Sequence, residues 1–125
     1  MELVLIRGIP GSGKSTIARS MNFDVHYEAD MFFINENGDY CYDPKKIGEA
    51  HQWCQEQTFK ALSEGKRVVV SNTFIKLFEM KPYFDMAHEL GLELNVIQAE
   101  GRWPNVHGVP EEVVKRMEDN WEDLK

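Results

Sequence analysis

The sequence predicts an α/β fold in which a small parallel sheet of about four strands carries helices on both faces. Two observations lead to this prediction. Short apolar runs typical of buried strands alternate along the 125 residues with longer segments of helical periodicity. Between the first run and the first helix lies a glycine-rich segment, Gly8-Ile9-Pro10-Gly11-Ser12-Gly13-Lys14-Ser15-Thr16. Such alternation implies parallel strands joined by right-handed helical crossovers.

Four runs have the composition of strands. The first contains Leu3-Val4-Leu5-Ile6 and the third Val68-Val69-Val70, both continuous and apolar as in strands buried on both faces. The second alternates polar and apolar residues and is expected to end at Asp30. The predicted strands cover residues 2–7, 24–29, 67–71 and 92–99.

Four segments have helical patterning and recognisable ends. Asp43 is a good N-cap and Pro44 suits the first helical position, so the longest helix is expected to begin there. Gly65 and Gly91 follow the second and third helices, at positions where glycine commonly ends a helix. The predicted helices cover residues 15–21, 44–64, 79–90 and 110–121.

The glycine-rich segment fits the P-loop pattern G-x-x-x-x-G-K-[ST] without a mismatch, between a strand and a helix as the motif requires. Its glycines let the backbone wrap closely around an anion, so that successive N–H groups point inward beside the helix N-terminus. Lys14 is expected to reach the β- and γ-phosphates of ATP, and the Ser15 hydroxyl to bind Mg²⁺. The sequence therefore predicts a three-layer P-loop NTPase fold with ATP and Mg²⁺ as cofactors. The predicted nucleotide-binding residues are Gly8, Pro10, Gly11, Ser12, Gly13, Lys14, Ser15 and Thr16.

The carboxyl ends of the strands are expected to line one crevice, because ligands of parallel α/β folds bind there. Asp30 follows the second strand, Ser71-Asn72-Thr73 the third and Glu100-Gly101-Arg102 the fourth. Asp30 is the candidate general base that takes the proton of an acceptor hydroxyl, and capping a turn is its equally weighted alternative. The third strand ends without the acid found in motor and switch NTPases, which favours a small kinase.

Arg102 is the candidate for the arginine that neutralises charge on the transferred phosphoryl group. Among the arginines, it alone follows a strand end on the ligand side, in a loop with Gly101 and Pro104 that can act as a short lid. A surface arginine in a turn is the alternative. The predicted catalytic residues are Lys14, Asp30 and Arg102.

Composition and charge limit the class of protein. With 42% hydrophobic and 28% charged residues, the chain has the make-up of one globular domain covering residues 1–125. No apolar run is long enough to span a membrane, and Glu2 stands where a signal peptide would be basic. We therefore expect a cytoplasmic protein (in the host cytoplasm if phage-encoded), with Cys41 and Cys54 as free thiols. The net charge of −7 argues against a broad duplex-binding surface but is compatible with a cleft for a strand end or a nucleotide.

Several segments together resemble the phage-type polynucleotide kinase group of P-loop kinases, including its small AAA-like relatives. The most specific are Ala50-His51-Gln52-Trp53 and His107-Gly108-Val109-Pro110, in combination with the P-loop and the strand end at Asp30. The resemblance implies transfer of the γ-phosphate of ATP to a 5′-hydroxyl of DNA or RNA, with Asp30 as the general base. His51 and Trp53 either line the acceptor groove or pack in the core.

The acceptor half of the sequence departs from the family pattern. These kinases usually carry an arginine three residues after the base, where this chain has Phe33, and Asn72 and Phe74 replace an acid and an amide. The sequence therefore leaves open a nucleoside, a modified base or a small metabolite as the phosphate acceptor. It also leaves open a nucleotide-binding regulatory protein that has lost transfer, and a simple NTPase that uses water.

Overall fold

Four parallel strands form one sheet in the computed structural model, which describes residues 2–101 and 109–124. The strands are β1 (Glu2–Arg7), β2 (Val25–Tyr27), β3 (Arg67–Asn72) and β4 (Glu93–Gln98), in the spatial order β2-β3-β1-β4. The central strand β1 pairs with β3 on one side and with β4 on the other, so that Arg7 lies between Asn72 and Gln98. The carboxyl ends of these three strands therefore meet at one edge of the sheet.

Helices cover both faces of the sheet. They are α1 (Lys14–Ser20), α2 (Ile47–Ser63), α3 (Lys81–Leu90) and α4 (Glu111–Asp119). Leu3 and Leu5 of β1 face a core that they share with residues of α2 and α3, whereas Val4 and Ile6 face a second core that contains Ala18 of α1. Alternate residues of a strand point to opposite faces, so the continuous apolar run supplies both cores. The predicted three-layer α/β fold is confirmed.

Some predicted boundaries were wrong. Strand β2 ends at Tyr27, and Asp30 lies in a 3₁₀ helix, Ala29–Phe33, rather than at a strand end. The chain turns there because the Ala29 N–H donates to Asn72 Oδ1 over 2.9 Å, instead of continuing the ladder. The longest helix begins as the 3₁₀ turn Pro44–Lys46, with Asp43 as its N-cap as predicted, and becomes α-helical only at Ile47.

The third and fourth helices are also shorter than predicted. A 3₁₀ turn, Leu77–Met80, precedes α3, and α4 ends at Asp119. No helix in residues 2–101 and 109–124 combines the length and the hydrophobicity needed to cross a membrane.

Arg7 is a buried anchor at the end of β1. Its side chain is fully buried and donates hydrogen bonds to the carbonyl oxygens of Phe74, Ile75 and Glu122, the shortest being 2.6 Å. The guanidinium carbon lies 4.0 Å from the centre of the Trp121 ring. One side chain therefore ties the segment after α4 to the loop after β3, directly beneath the glycine-rich loop.

Substituting lysine for Arg7 is expected to lower the free energy of unfolding by about 3 kcal/mol or more, because one ammonium cannot replace a planar fork that serves three carbonyl groups. Urea unfolding measures this change. Arg67→Lys is the matched control, since Arg67 is exposed at the opposite end of the sheet, and we expect a change within about 0.5 kcal/mol. Equal losses in the two variants would contradict the anchoring role.

Candidate active site

The glycine-rich loop connects β1 to α1 and is fixed on both sides by neighbouring strand ends. The Gly8 N–H donates to the Thr73 carbonyl over 3.2 Å, and the Gly101 N–H donates to the Ser12 carbonyl over 3.0 Å. Gly11 and Gly13 have φ angles of 83° and 92°, in the left-handed region that favours glycine. The structure therefore places the predicted phosphate-binding segment at the carboxyl edge of the sheet, between β3 and β4.

Gly8 has no room for a side chain. A Cβ atom at this position would collide with the Ser12 hydroxyl and would lie 3.0 Å from the Ala99 carbonyl oxygen. The first glycine of the motif is therefore required by the close approach of the loop to its own turn and to β4.

Lys14 opens α1, and its amine lies over the loop. Its Nζ donates to the carbonyl oxygens of Gly8 and Ile9 over 2.9 and 3.0 Å. Burial lowers the pKa of Lys14, and the charges of Glu28 and Asp30 act in the opposite direction. The amine is thus held close to the loop and faces two carboxylates.

Glu28 forms a hydrogen-bonded cluster with the hydroxyl of the motif. Its Oε2 accepts a hydrogen bond of 2.5 Å from Ser15 Oγ and one of 2.6 Å from Ser71 Oγ. His26 Nε2 lies 3.3 Å from the same oxygen and 2.8 Å from Ser71 Oγ. Burial alone would raise the pKa of Glu28, but the hydrogen bonds from His26, Ser15 and Ser71 outweigh it and lower the pKa to about 2. Glu28 is therefore a carboxylate at neutral pH.

Sequence reasoning missed Glu28. Glu28 falls inside the predicted second strand, residues 24–29, and the acid of motor and switch NTPases was expected only at the end of the third strand. In the structure β2 ends at Tyr27, two residues before the predicted end, so Glu28 lies at the carboxyl edge. Strand β3 contributes the Ser71 hydroxyl there instead of an acid. One feature of the sequence could have indicated Glu28: it is an acid at the end of the short alternating run of the second strand, only two residues before Asp30.

Asp30 lies two residues beyond Glu28, on the 3₁₀ helix. The Tyr40 hydroxyl lies 3.4 Å from Asp30 Oδ1, and the Asp30 carboxylate is close enough to act on the Lys14 charge. Burial raises the pKa of Tyr40, and the Asp30 charge adds to this rise, so Tyr40 stays protonated as a donor. A partly buried carboxylate therefore lies on the side of the loop where Lys14 and Ser15 are found.

A cavity of about 310 Å³ lies on the other side of the loop. Its described lining is Gly8, Ile9, Ser12, Gln98, Ala99, Glu100, Gly101, Glu118 and Trp121. This described lining includes the ends of β1 and β4 but no residue from the ends of β2 and β3. The ends of β2 and β3 border the Ser15 side, and the end of β4 borders the cavity.

Comparison with known proteins identifies the family. Residues 3–108 match the AAA domain family. The chain belongs to this family. Its four-stranded parallel sheet carries helices on both faces.

Two curated relatives of the AAA domain extend the comparison. NEDD4-binding protein 2 of Homo sapiens is 33% identical over 137 residues, which cover 98% of this chain and 8% of that protein. The bifunctional polynucleotide phosphatase/kinase of Schizosaccharomyces pombe is 28% identical over 99 residues, covering 79% of this chain and 21% of that protein. The chain thus spans only a small part of each of these two relatives.

Two solved structures share the fold. The Pnkp1/Rnl/Hen1 complex matches with a TM-score of 0.65 and 24% identity, covering 92% of this chain and 38% of that chain. The Mycobacterium tuberculosis APS kinase CysC, in complex with AMPPNP and APS, matches with a TM-score of 0.58 and 14% identity, covering 92% of this chain and 66% of that one. At these identities the likeness concerns the fold alone.

The three departures from the kinase pattern have structural roles in this AAA domain. Phe33 is buried in the aromatic cluster beside α2, and Phe74 packs edge-on against Tyr83 with ring centroids 5.6 Å apart. Asn72 holds the 3₁₀ helix through its bond to the Ala29 N–H. Trp53 also packs in the core, against Tyr27 and Phe32, which favours the packing alternative predicted for it.

Arg102 and the segment His107-Gly108 lie outside the described residues, so the role predicted for Arg102 stays a prediction. Two other arginines of the AAA domain have partners within the fold. Arg7 is buried on backbone carbonyls, and the Arg67 N–H bonds Asp24 at the amino end of β3.

Proposed function

We propose that this AAA domain is an ATP- and Mg²⁺-dependent kinase that transfers the γ-phosphate to a hydroxyl group, foremost the 5′-hydroxyl of a polynucleotide or a nucleoside. One observation carries the proposal. The Lys14 amine, the Ser15–Glu28 pair and the Asp30 carboxylate converge on one side of the glycine-rich loop. We take residues 1–125 as one catalytic domain.

Phosphate and metal binding follow from the loop. Its N–H groups and Lys14 would hold the β- and γ-phosphates. The Ser15 hydroxyl and the Glu28 carboxylate are hard oxygen donors 2.5 Å apart, a set that fits Mg²⁺ together with phosphate oxygens and water. Within residues 2–101 and 109–124, no group of three or more His, Cys, Asp or Glu side chains is placed to hold a metal ion. Bound Mg²⁺ would supply charge neutralisation on the transferred group.

The nucleotide and the acceptor would approach the loop from opposite sides. The cavity of about 310 Å³ has the size of a small-molecule pocket, and Trp121 offers an aromatic face for the base. Asp30 would take the proton of the acceptor hydroxyl while the oxygen of that hydroxyl bonds to the γ-phosphorus. The bond between the γ-phosphorus and the bridging oxygen would break, and ADP would leave. Arg102 would stabilise the charge spread over the transferred oxygens.

The fission yeast relative is named a bifunctional polynucleotide phosphatase/kinase, and this name supports a phosphotransferase with a polynucleotide acceptor. Radiolabelled ATP with a panel of 5′-hydroxyl oligonucleotides, nucleosides, sugars and small metabolites tests the proposal. We expect labelled product from a 5′-hydroxyl acceptor. ATP binding without product from any acceptor would favour a regulatory protein, and phosphate release without an acceptor would favour a simple NTPase.

Glu28→Gln tests the metal role. We expect the Mg²⁺ concentration for half-maximal rate to rise by roughly tenfold to a hundredfold, because a neutral amide replaces a carboxylate beside Ser15. A Mg²⁺ titration at saturating ATP measures the shift. Glu64→Gln is the matched control, since Glu64 is exposed and pairs with Lys66 on the surface. An unchanged Mg²⁺ requirement in Glu28→Gln would contradict the assignment.

A further inference from the structure

A small aromatic platform borders the acceptor side of the site. It consists of Tyr40 and Tyr42, whose side chains are each 51% exposed. Their rings lie within 14° of parallel, with centroids 6.3 Å apart. Both rest edge-on against the buried ring of Phe33, with centroids 6.2 and 5.2 Å away. Two exposed aromatic rings therefore pack on one buried ring.

The backbone fixes the orientation of the platform. The Cys41 N–H donates to the Phe33 carbonyl over 2.7 Å, and Ile34 pairs with Tyr40 in an antiparallel bridge. Asn35 closes the turn by accepting from the backbone N–H groups of residues 37 and 39. In an extended segment, side chains two positions apart point to the same side. The two tyrosines therefore present a common surface without needing a ligand to order them.

The position of Tyr40 connects the platform to the reaction. Its hydroxyl lies 3.4 Å from Asp30 Oδ1, and its ring extends outward from the carboxylate. A nucleoside whose 5′-hydroxyl meets Asp30 carries its base roughly one sugar ring away. That is the region of the tyrosine rings.

We propose that Tyr40 and Tyr42 form a stacking platform for the 5′-terminal bases of a single-stranded nucleic-acid acceptor. The inference rests on the proposed kinase function and names its acceptor class. Aromatic rings bind unpaired bases without sequence preference, since every base has a π-face. Lys45 and Lys46 follow the platform in the 3₁₀ turn that precedes α2. Both are exposed and have no ion pair among the described residues, so their charges are available to the next phosphate. Two successive rings followed by two cations suit a single-stranded nucleic acid, which has several bases and phosphates, better than a free nucleoside.

The test uses fluorescence of 2-aminopurine, which stacking quenches, in an oligonucleotide with a 5′-hydroxyl and without ATP. We expect quenching when the probe base is 5′-terminal and little when it lies in the middle of the strand. The double variant Tyr40→Leu with Tyr42→Leu keeps an apolar contact to Phe33 but offers no aromatic face. It should bind roughly fivefold to a hundredfold more weakly and lose the quenching.

Three comparisons complete the experiment. Tyr42→Phe should quench the 2-aminopurine fluorescence as strongly as the unmodified protein does. Phe78→Ala should do so too, because it removes an aromatic ring that is 72% exposed on another part of the surface. Thermal unfolding confirms that the leucine variant is folded. Full affinity and quenching in the folded leucine variant would overturn the platform, as would equally tight binding of free 2-aminopurine riboside. Because binding is measured without ATP, the platform is tested even where phosphoryl transfer fails.

Discussion

Replacing Lys14 with alanine is expected to lower the rate of phosphoryl transfer by roughly a hundredfold to a thousandfold while the fold stays intact. The variant removes the amine that lies over the loop, at hydrogen-bond distance from the carbonyl oxygens of Gly8 and Ile9. The positive charge of that amine is expected to stabilise the negative charge that develops on the γ-phosphate oxygens during transfer. Single-turnover rates at saturating ATP and acceptor measure the loss.

Lys66→Ala is the control for Lys14→Ala. Lys66 lies on the surface, paired with Glu64 over 3.5 Å, and its removal should leave the rate unchanged. Urea unfolding should show similar stabilities for both variants and the unmodified chain, because Lys14 packs on loop carbonyls rather than in either core. Full activity of Lys14→Ala at limiting ATP would remove the loop from the catalytic site.

Asp30→Asn is expected to reduce transfer by roughly a hundredfold or more with little change in ATP affinity. Asparagine has the size of aspartate and keeps an oxygen for the Tyr40 hydroxyl, but it cannot take the acceptor proton. The loss should therefore fall on kcat rather than on the binding of ATP. Equilibrium ATP binding and single-turnover transfer, measured on the same preparation, separate the two quantities.

Asp85→Asn supplies the matched control for the charge change at Asp30. Asp85 lies on the exposed face of α3, where it pairs with Lys81 over 2.8 Å. Wild-type turnover in Asp30→Asn would reduce Asp30 to a turn residue, the alternative that the sequence left open.

The glycine-rich loop and the strand that precedes it show how much the sequence can predict. The motif from Gly8 to Thr16 is contiguous, so the residues that determine its backbone conformation are neighbours in the sequence. The apolar run before it predicts a strand buried on both faces, and both cores confirm this. Asp43 and Gly91 also lie at the helix ends predicted for them, because caps act within a few residues.

Glu28 and Arg7 show what the sequence left undetermined. Each has a partner more than ten positions away: Ser15 and Ser71 for Glu28, the Phe74 carbonyl for Arg7. The spacing of residue types along the sequence does not reveal contacts between residues so far apart in the chain. Arg7 looks like an ordinary strand residue until the segment after α4 is found folded over it.

The sequence by itself determined the fold class and the loop, because periodicity and the glycine motif depend on neighbours in the chain. Only the tertiary structure decided which carboxylate meets the Ser15 hydroxyl. Strand β3 pairs between β1 and β2, and this register brings the end of β2 to the first turn of α1. The Glu28 carboxylate therefore lies at the loop, although the chain separates it from Ser15 by 13 positions.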